Sequence, residues 1–310
     1  MPKILKTSLD STLPASFERA EIKTFVESYD NFLFDCDGVL WLGSEVIPGI
    51  PATLDWLRSM GKRVFFVTNN STKSRQQYAE KFSKLGIHAS PEEIFSSAYA
   101  AAVYIKEVAQ LPKDKKVFVI GMDGIRNELD NIGIENFSLQ DDKPLFEDSD
   151  LSQYKPDDQV GAVVVGLDRN ISYRKYAQAY QYLRYNNGGK GALFVATNAD
   201  STFPMSGTMY PGTGAILAPL ITALDRKPIV TGKPSLNMLE AVFAQHKIDP
   251  SRTCMVGDRL NTDIQFGLQG GIGTLLVLTG VNQLKDLEGS SIQPSFIIPG
   301  LVNLSEAKDQ

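Results

Sequence analysis

Two carboxylates, Asp35 and Asp37, follow the apolar run Phe32-Leu33-Phe34 and precede Gly38. A buried strand cannot keep ionised carboxylates in its interior. The pair must therefore stand just past the strand's end, in a solvated crevice. Alone, Asp35-Cys36-Asp37-Gly38 also reads as an ordinary turn. Three later stretches supply what a reacting site would need. Thr68-Asn69-Asn70-Ser71 ends the apolar run Val64-Phe65-Phe66-Val67, and Lys233 stands in Gly232-Lys233-Pro234-Ser235. Asp258 and Asp263 follow the run Thr253-Cys254-Met255-Val256. Carboxylates about 4 Å apart repel by ~4 kcal/mol at an effective dielectric of 20, and one lysine cannot offset several of them. A hard divalent cation can, and oxygen ligands without histidine suit Mg²⁺. A cation beside Lys233 and a hydroxyl-rich turn makes a pocket for a dianion, most simply a phosphoryl group.

The elements that must position these residues alternate strand and helix, which calls for a parallel sheet and an α/β fold. A leader of residues 1 to about 15 is expected, then a helix Phe17–Ser28 and the strand before Asp35. A loop Gly38–Gly49 leads to a helix Pro51–Met60, with Pro51 in its first turn and Gly61 as its stop. The strand Arg63–Val67 runs into the Thr68 turn and a basic helix carrying Lys73 and Arg75. That geometry favours an anion, though four small polar residues also serve as an N-cap. A helix Ala98–Ala109 and a linker Leu111–Asp114 open a second α/β block. Its strands are expected at Lys116–Ile120, Ala162–Val165 and Ala192–Ala196, and its helices at Ile125–Ile132, Tyr173–Tyr185 and Ala215–Leu224. Asp141–Asp158 reads as an acidic surface loop, and Asp225–Pro228 as the return linker. Ile229-Val230, Thr253–Val256, Thr274–Leu278 and Phe296–Ile298 complete the first sheet. On this reading the signals at Asp35, Thr68, Lys233 and Asp258 end four parallel strands of one sheet, where open α/β sheets bind ligands.

A chain of 310 residues suits two domains. A net charge of −5 gives no basic footprint, so nucleic acid is not an expected partner. No window approaches the ~20 apolar residues of a membrane span. The first residues lack the apolar centre of a signal peptide, so the expected location is cytoplasmic. Cys36 and Cys254 read as reduced, packed thiols. Cys36 alternates with the aspartates and should point away from them, into packing. Trp41, Phe32 and Phe34 read as packing aromatics, and His88 and His246 as surface residues.

With these residues in view, the sequence resembles the haloacid dehalogenase (HAD) superfamily along nearly its whole length. Asp35-Cys36-Asp37-Gly38, Thr68–Ser71, Gly232–Ser235 and Gly257–Asp263 match its four motifs in order. It is most similar to the C2-capped p-nitrophenyl phosphatases, a branch that includes 2-phosphoglycolate and pyridoxal-phosphate phosphatases. The resemblance implies a doubly wound parallel-sheet core at residues 1–106 and 227–310, with an inserted α/β C2-type cap at 107–226. It implies that Asp35 is a nucleophile forming an aspartyl-phosphate and that Asp37 is general acid, then base. Mg²⁺ would be held by Asp35, the Asp37 carbonyl and Asp258, with Asp263 orienting waters or Lys233. Thr68, Asn69, Asn70 and Lys233 would bind phosphoryl oxygens.

In this family an aspartate at position 37 suits a phosphatase of small phosphomonoesters; a phosphomutase or phosphotransferase with the same core is one alternative, and a pyridoxal-phosphate phosphatase the other. Rival phosphatase machinery is missing, because Cys254 reaches Arg259 one residue too early for Cys-x5-Arg. The resemblance assigns substrate choice to the cap and implies a homodimer through it. Asp168, Asn198, Asp200 and Phe203 are the candidates there, although Gly166–Arg169 and Thr197–Phe203 read equally well as strand-ending turns. Pyridoxal-phosphate phosphatases carry histidine at the position matching Phe203, so this chain is expected to favour compact esters such as 2-phosphoglycolate over pyridoxal phosphate.

Overall fold

The computed structural model describes residues 3–4, 15–139, 156–205 and 208–308. It divides into two compact units, Met1–Thr68 with Tyr78–Phe95 and Lys233–Gln310, and Asn69–Gln77 with Ser96–Gly232.

The first unit holds a seven-stranded sheet. From one edge to the other its strands are Lys3–Ile4, Phe296–Ile298, Gly273–Val277, Thr253–Gly257, Asn31–Phe34, Arg63–Thr68 and Ile94–Ser96. The paired strands Thr253–Gly257, Asn31–Phe34 and Arg63–Thr68 run parallel, with Val256 opposite Phe34 and Phe34 opposite Phe66. Residues of these strands alternate between two apolar layers, which is why their sequences show no polar alternation. Phe32, Phe34, Val64, Phe66 and Val256 pack on one face with the helices Ala15–Ser28 and Ile50–Ser59. On the other side Leu276 and Ile297 pack with Leu260 and Ile264. Cys36 and Cys254 are buried in the first cluster as free thiols, and burial pushes both thiols up, so neither is reactive.

The second unit holds a five-stranded sheet in the order Ile229–Val230, Leu193–Ala196, Val160–Val165, Lys116–Ile120, Asn136–Phe137. Its helices include Asp123–Asn131, Tyr173–Tyr185 and Thr213–Leu224. The helix Ser97–Val103 buries Ala98, Ala101 and Ala102 against Ile125 and Leu129 of this unit. Residues 96–106 thus pack with the inserted block. Asn69–Gln77 is bound to it as well. Arg75 donates its backbone N–H (2.5 Å) and its Nε (3.2 Å) to the fully buried carboxylate of Glu128.

Several details depart from the expectations. Ile229–Val230 pairs with Val195–Ala196 in the second sheet, so Lys233 does not end a strand of the first. A two-residue strand carries no signal of which edge it will join. Lys73 lies before its helix, which starts at Arg75, because Ser74 and Gln77 exchange capping bonds there. Lys3–Ile4 forms an edge strand, while the rest of the expected leader up to residue 14 lies outside the described residues. The same holds for residues 140–155 of the expected acidic loop. His246 is half-buried, its ring 4.7 Å from that of Phe65 and its Nε2 at 3.0 Å from the Glu92 carbonyl. Among the described residues no helix is long and apolar enough to cross a membrane.

Candidate active site

Asp35 follows the central strand Asn31–Phe34 directly, and its backbone N–H donates to the Val256 carbonyl at 2.9 Å. Asp258 follows the neighbouring strand on one side, and Thr68 closes the neighbouring strand on the other. Three motifs therefore meet because three adjacent parallel strands end together. Lys233 arrives from the crossing out of the second unit. Its Nζ lies 2.6 Å from Asp35 Oδ1, 2.7 Å from Asp263 Oδ1 and 2.7 Å from the Val67 carbonyl. Asp263 Oδ2 accepts the Arg259 N–H at 3.1 Å. Asp263 thus pairs with Lys233 through one carboxylate oxygen and accepts a backbone N–H with the other.

The charges do not balance. Carboxylate oxygens of Asp35, Asp258 and Asp263 all lie within 4.8 Å of one another, and the single ammonium of Lys233 pairs with two of the three. Burial pushes the Asp35 carboxyl well above its ordinary range against the pull of Lys233, and the charges on Asp263 and Asp258 push the same way. Burial, then Asp263, drives Asp258 up to about 7. Burial works to lower the Lys233 pKa, but Asp263 and Asp35 outweigh it and hold the ammonium above the ordinary lysine range. Such a cluster fits one more hard positive charge bound by oxygen. The backbone leaves room for it: Gly38 takes φ +91, and a Cβ there would lie 2.5 Å from Asp258 Oδ2. A side chain on Gly280 would strike the same carboxylate, which also accepts the Val281 N–H at 2.7 Å.

Asp37 is held differently. The Trp41 indole Nε1–H donates to Asp37 Oδ1 at 2.8 Å. Trp41 is fully buried, with Lys81 Nζ 3.7 Å over its ring and Phe82 edge-on at 5.1 Å. Trp41 thus does more than pack. Its place four residues after Asp37 is the one hint of this in the sequence. Thr279 supports the same turn, donating to the Gly38 carbonyl at 2.6 Å. Thr68 is buried, and the Tyr78 hydroxyl is hydrogen-bonded to its side chain.

The remaining candidates lie in the second unit. Asn69 Nδ2 donates to Asp200 at 3.1 and 3.3 Å, and Asn198 Nδ2 donates to the Asn69 carbonyl. Asn70 Oδ1 accepts from Thr72 N and Oγ1 at 3.0 and 2.7 Å, which shapes the turn. Asp168 is buried and gives its two oxygens to Lys175 Nζ at 2.9 Å and Asn170 N at 2.8 Å. Phe203 sits in a hairpin, Thr202–Met205 with Thr208–Pro211, its ring 6.0 Å from that of Tyr210.

Residues 32–135 match the family profile described as haloacid dehalogenase-like hydrolase, and residues 230–304 match a second HAD-like profile. The chain belongs to the haloacid dehalogenase-like hydrolases. Within that family it is 46% identical over 291 residues to the 4-nitrophenylphosphatase of Schizosaccharomyces pombe, covering 92% of this chain and 96% of that one. It is 46% identical over 290 residues to phosphoglycolate phosphatase 2 of Arabidopsis thaliana, covering 91% and 94%. A crystal structure of a glycerol phosphate phosphatase from Mycobacterium tuberculosis in complex with magnesium superimposes with a TM-score of 0.75 at 30% identity, covering 90% of this chain and 77% of that one.

Proposed function

We propose that this HAD-like hydrolase is a Mg²⁺-dependent phosphatase of small phosphomonoesters in which Asp35 is the nucleophile. The observation that carries the assignment is a difference in access. The Asp35 side chain keeps 12% exposure, whereas those of its partners Lys233 and Asp263 keep 2% each. Asp35 is the carboxylate of the Lys233 pair that a phosphate ester can reach. An Asp35 oxygen bonds to phosphorus while the bond from phosphorus to the ester oxygen breaks, and Asp37 gives its proton to that oxygen. Asp37, now a carboxylate, takes a proton from water as the water oxygen attacks phosphorus. The acyl–phosphate bond breaks, orthophosphate leaves and Asp35 is restored. Lys233 neutralises phosphoryl charge, and Thr68 and the Asn69–Asn70 turn hold phosphoryl oxygens. Asp35, Asp258 and the Asp37 carbonyl would hold Mg²⁺, which when bound supplies charge neutralisation for a dianion among carboxylates.

The substrates follow from the relatives named above and from the hairpin. We expect turnover of p-nitrophenyl phosphate and 2-phosphoglycolate, with little on pyridoxal phosphate. Phe203→His should shift kcat/KM towards pyridoxal phosphate without changing the Mg²⁺ requirement. If wild-type kcat/KM for pyridoxal phosphate equals that for 2-phosphoglycolate, Phe203 does not set specificity.

The Trp41–Asp37 bond gives a second test. Trp41→Phe keeps an aromatic ring but removes the donor that orients Asp37. General acid catalysis contributes ~10²–10⁴-fold, and a poor leaving group depends on it most. The variant should lose ~10-fold or more in kcat on 2-phosphoglycolate and clearly less on p-nitrophenyl phosphate. Equal losses on both esters would mean that Trp41 only packs.

A further inference from the structure

Asn198 and Asp200 stand in a loop that the sequence offers for substrate selection. Both side chains hydrogen-bond to Asn69. Both Asp200 carboxylate oxygens accept from the Asn69 side-chain amide, at 3.1 and 3.3 Å. The Asn69 carbonyl accepts from Ser97 Oγ at 2.6 Å and from Asn198 Nδ2. The same loop binds the turn again two residues on, since Thr197 Oγ1 lies 3.2 Å from Ser71 Oγ. It also binds the return crossing, because the Thr197 carbonyl accepts the Gly232 N–H at 2.7 Å. Gly232 has no room for a side chain: a Cβ would lie 2.6 Å from Asn69 Oδ1 and 2.5 Å from the Thr197 carbonyl. Asp200 is itself anchored, its carbonyl accepting the Gly214 N–H at 2.9 Å. The stretch Thr197 to Asp200 thus grips the chain one position after Thr68 and one position before Lys233.

We propose that Asp200 and Asn198 are positioning residues: they fix Asn69, and with it the peptide that follows Thr68, instead of choosing the ester's alcohol. This rests on the phosphatase reading of the site. A residue acting this way changes the handling of the phosphoryl group and is blind to what the phosphoryl group is attached to. Misplacing a binding group by ~1 Å can cost ~10²-fold in rate.

The test compares wild type, Asp200→Ala, Asp200→Asn, Asn69→Ala and the Asn69→Ala/Asp200→Ala double variant, all with Mg²⁺. Two quantities are measured: kcat/KM on p-nitrophenyl phosphate and 2-phosphoglycolate, and the calorimetric Kd for orthophosphate, which carries no alcohol. Asp200→Ala should lower kcat/KM on both esters by the same ~10–100-fold factor and weaken orthophosphate. Asp200→Asn, whose side-chain carbonyl still accepts from Asn69, should recover most of the loss. In the Asn69→Ala background Asp200→Ala should have no further effect. A changed ratio between the esters with orthophosphate binding intact would overturn the proposal and make Asp200 a specificity residue. No effect of Asp200→Ala, or a full effect in the Asn69→Ala background, would overturn it as well. A wild type that binds orthophosphate but hydrolyses neither ester would contradict the proposed reaction, and the Kd series would still decide the clamp. A wild type that binds no orthophosphate contradicts both.

Discussion

Asp35→Asn is expected to lower kcat on p-nitrophenyl phosphate by ~10⁴-fold or more while the protein stays folded. The amide keeps the shape of the carboxylate but cannot form the acyl–phosphate bond. The substitution should not unfold the site, because it removes one negative charge from a cluster that burial and two neighbouring carboxylates already oppose. Lys233 keeps Asp263 and the Val67 carbonyl as partners. Steady-state kinetics and a melting curve check this together. Wild-type turnover would end the nucleophile assignment, and a large drop in Tm would mean that the Lys233–Asp35 pair holds the fold.

Removal of divalent cation is expected to abolish turnover and to destabilise the protein more as pH rises. Without a cation, burial and the neighbouring Asp263 push the Asp258 carboxyl up to about 7, against an ordinary 3.8. Between those values the folded state binds more protons than the unfolded state, so metal-free stability falls as pH rises through that window. A cation requires the deprotonated carboxylates, so its binding strengthens over the same range. The Tm in Mg²⁺ minus the Tm in EDTA should therefore grow from pH ~5 to ~8, at ~2–4 °C per kcal/mol for a protein of this size. Asp258→Ala should flatten that dependence and remove activity. Calcium should bind without supporting turnover, since it takes more ligands in looser geometry. A Tm difference independent of pH, or full turnover in EDTA, would contradict the cation site.

The core of the site is legible in the sequence because its motifs are local. Apolar runs without alternation mark the buried strands, and a carboxylate directly after such a run has one place to go. Asp35, Thr68 and Asp258 follow from that logic and from parallel pairing. What is not legible depends on pairings far apart in sequence. Nothing in Ile229-Val230 says that it joins the second sheet, and Asn69 and Asp200 meet across 131 positions. The paired strands Thr202–Met205 and Thr208–Pro211 carry Pro204 and Pro211, which weaken any strand signal. Trp41 reads as packing because an indole is mostly apolar surface, while its single N–H reaches Asp37.

The most direct test of the account is to catch the phosphoryl group on Asp35. Asp37→Asn should form the acyl phosphate from an ester with a good leaving group but lack the base that activates water. Asp37→Asn mixed with p-nitrophenyl phosphate and Mg²⁺, quenched in acid and digested, should give a peptide heavier by one phosphoryl group. The added mass should map to Asp35 and be lost on treatment with hydroxylamine. Active wild-type enzyme together with an unmodified Asp35 peptide in Asp37→Asn, or a phosphoryl group found on any other residue, would contradict it.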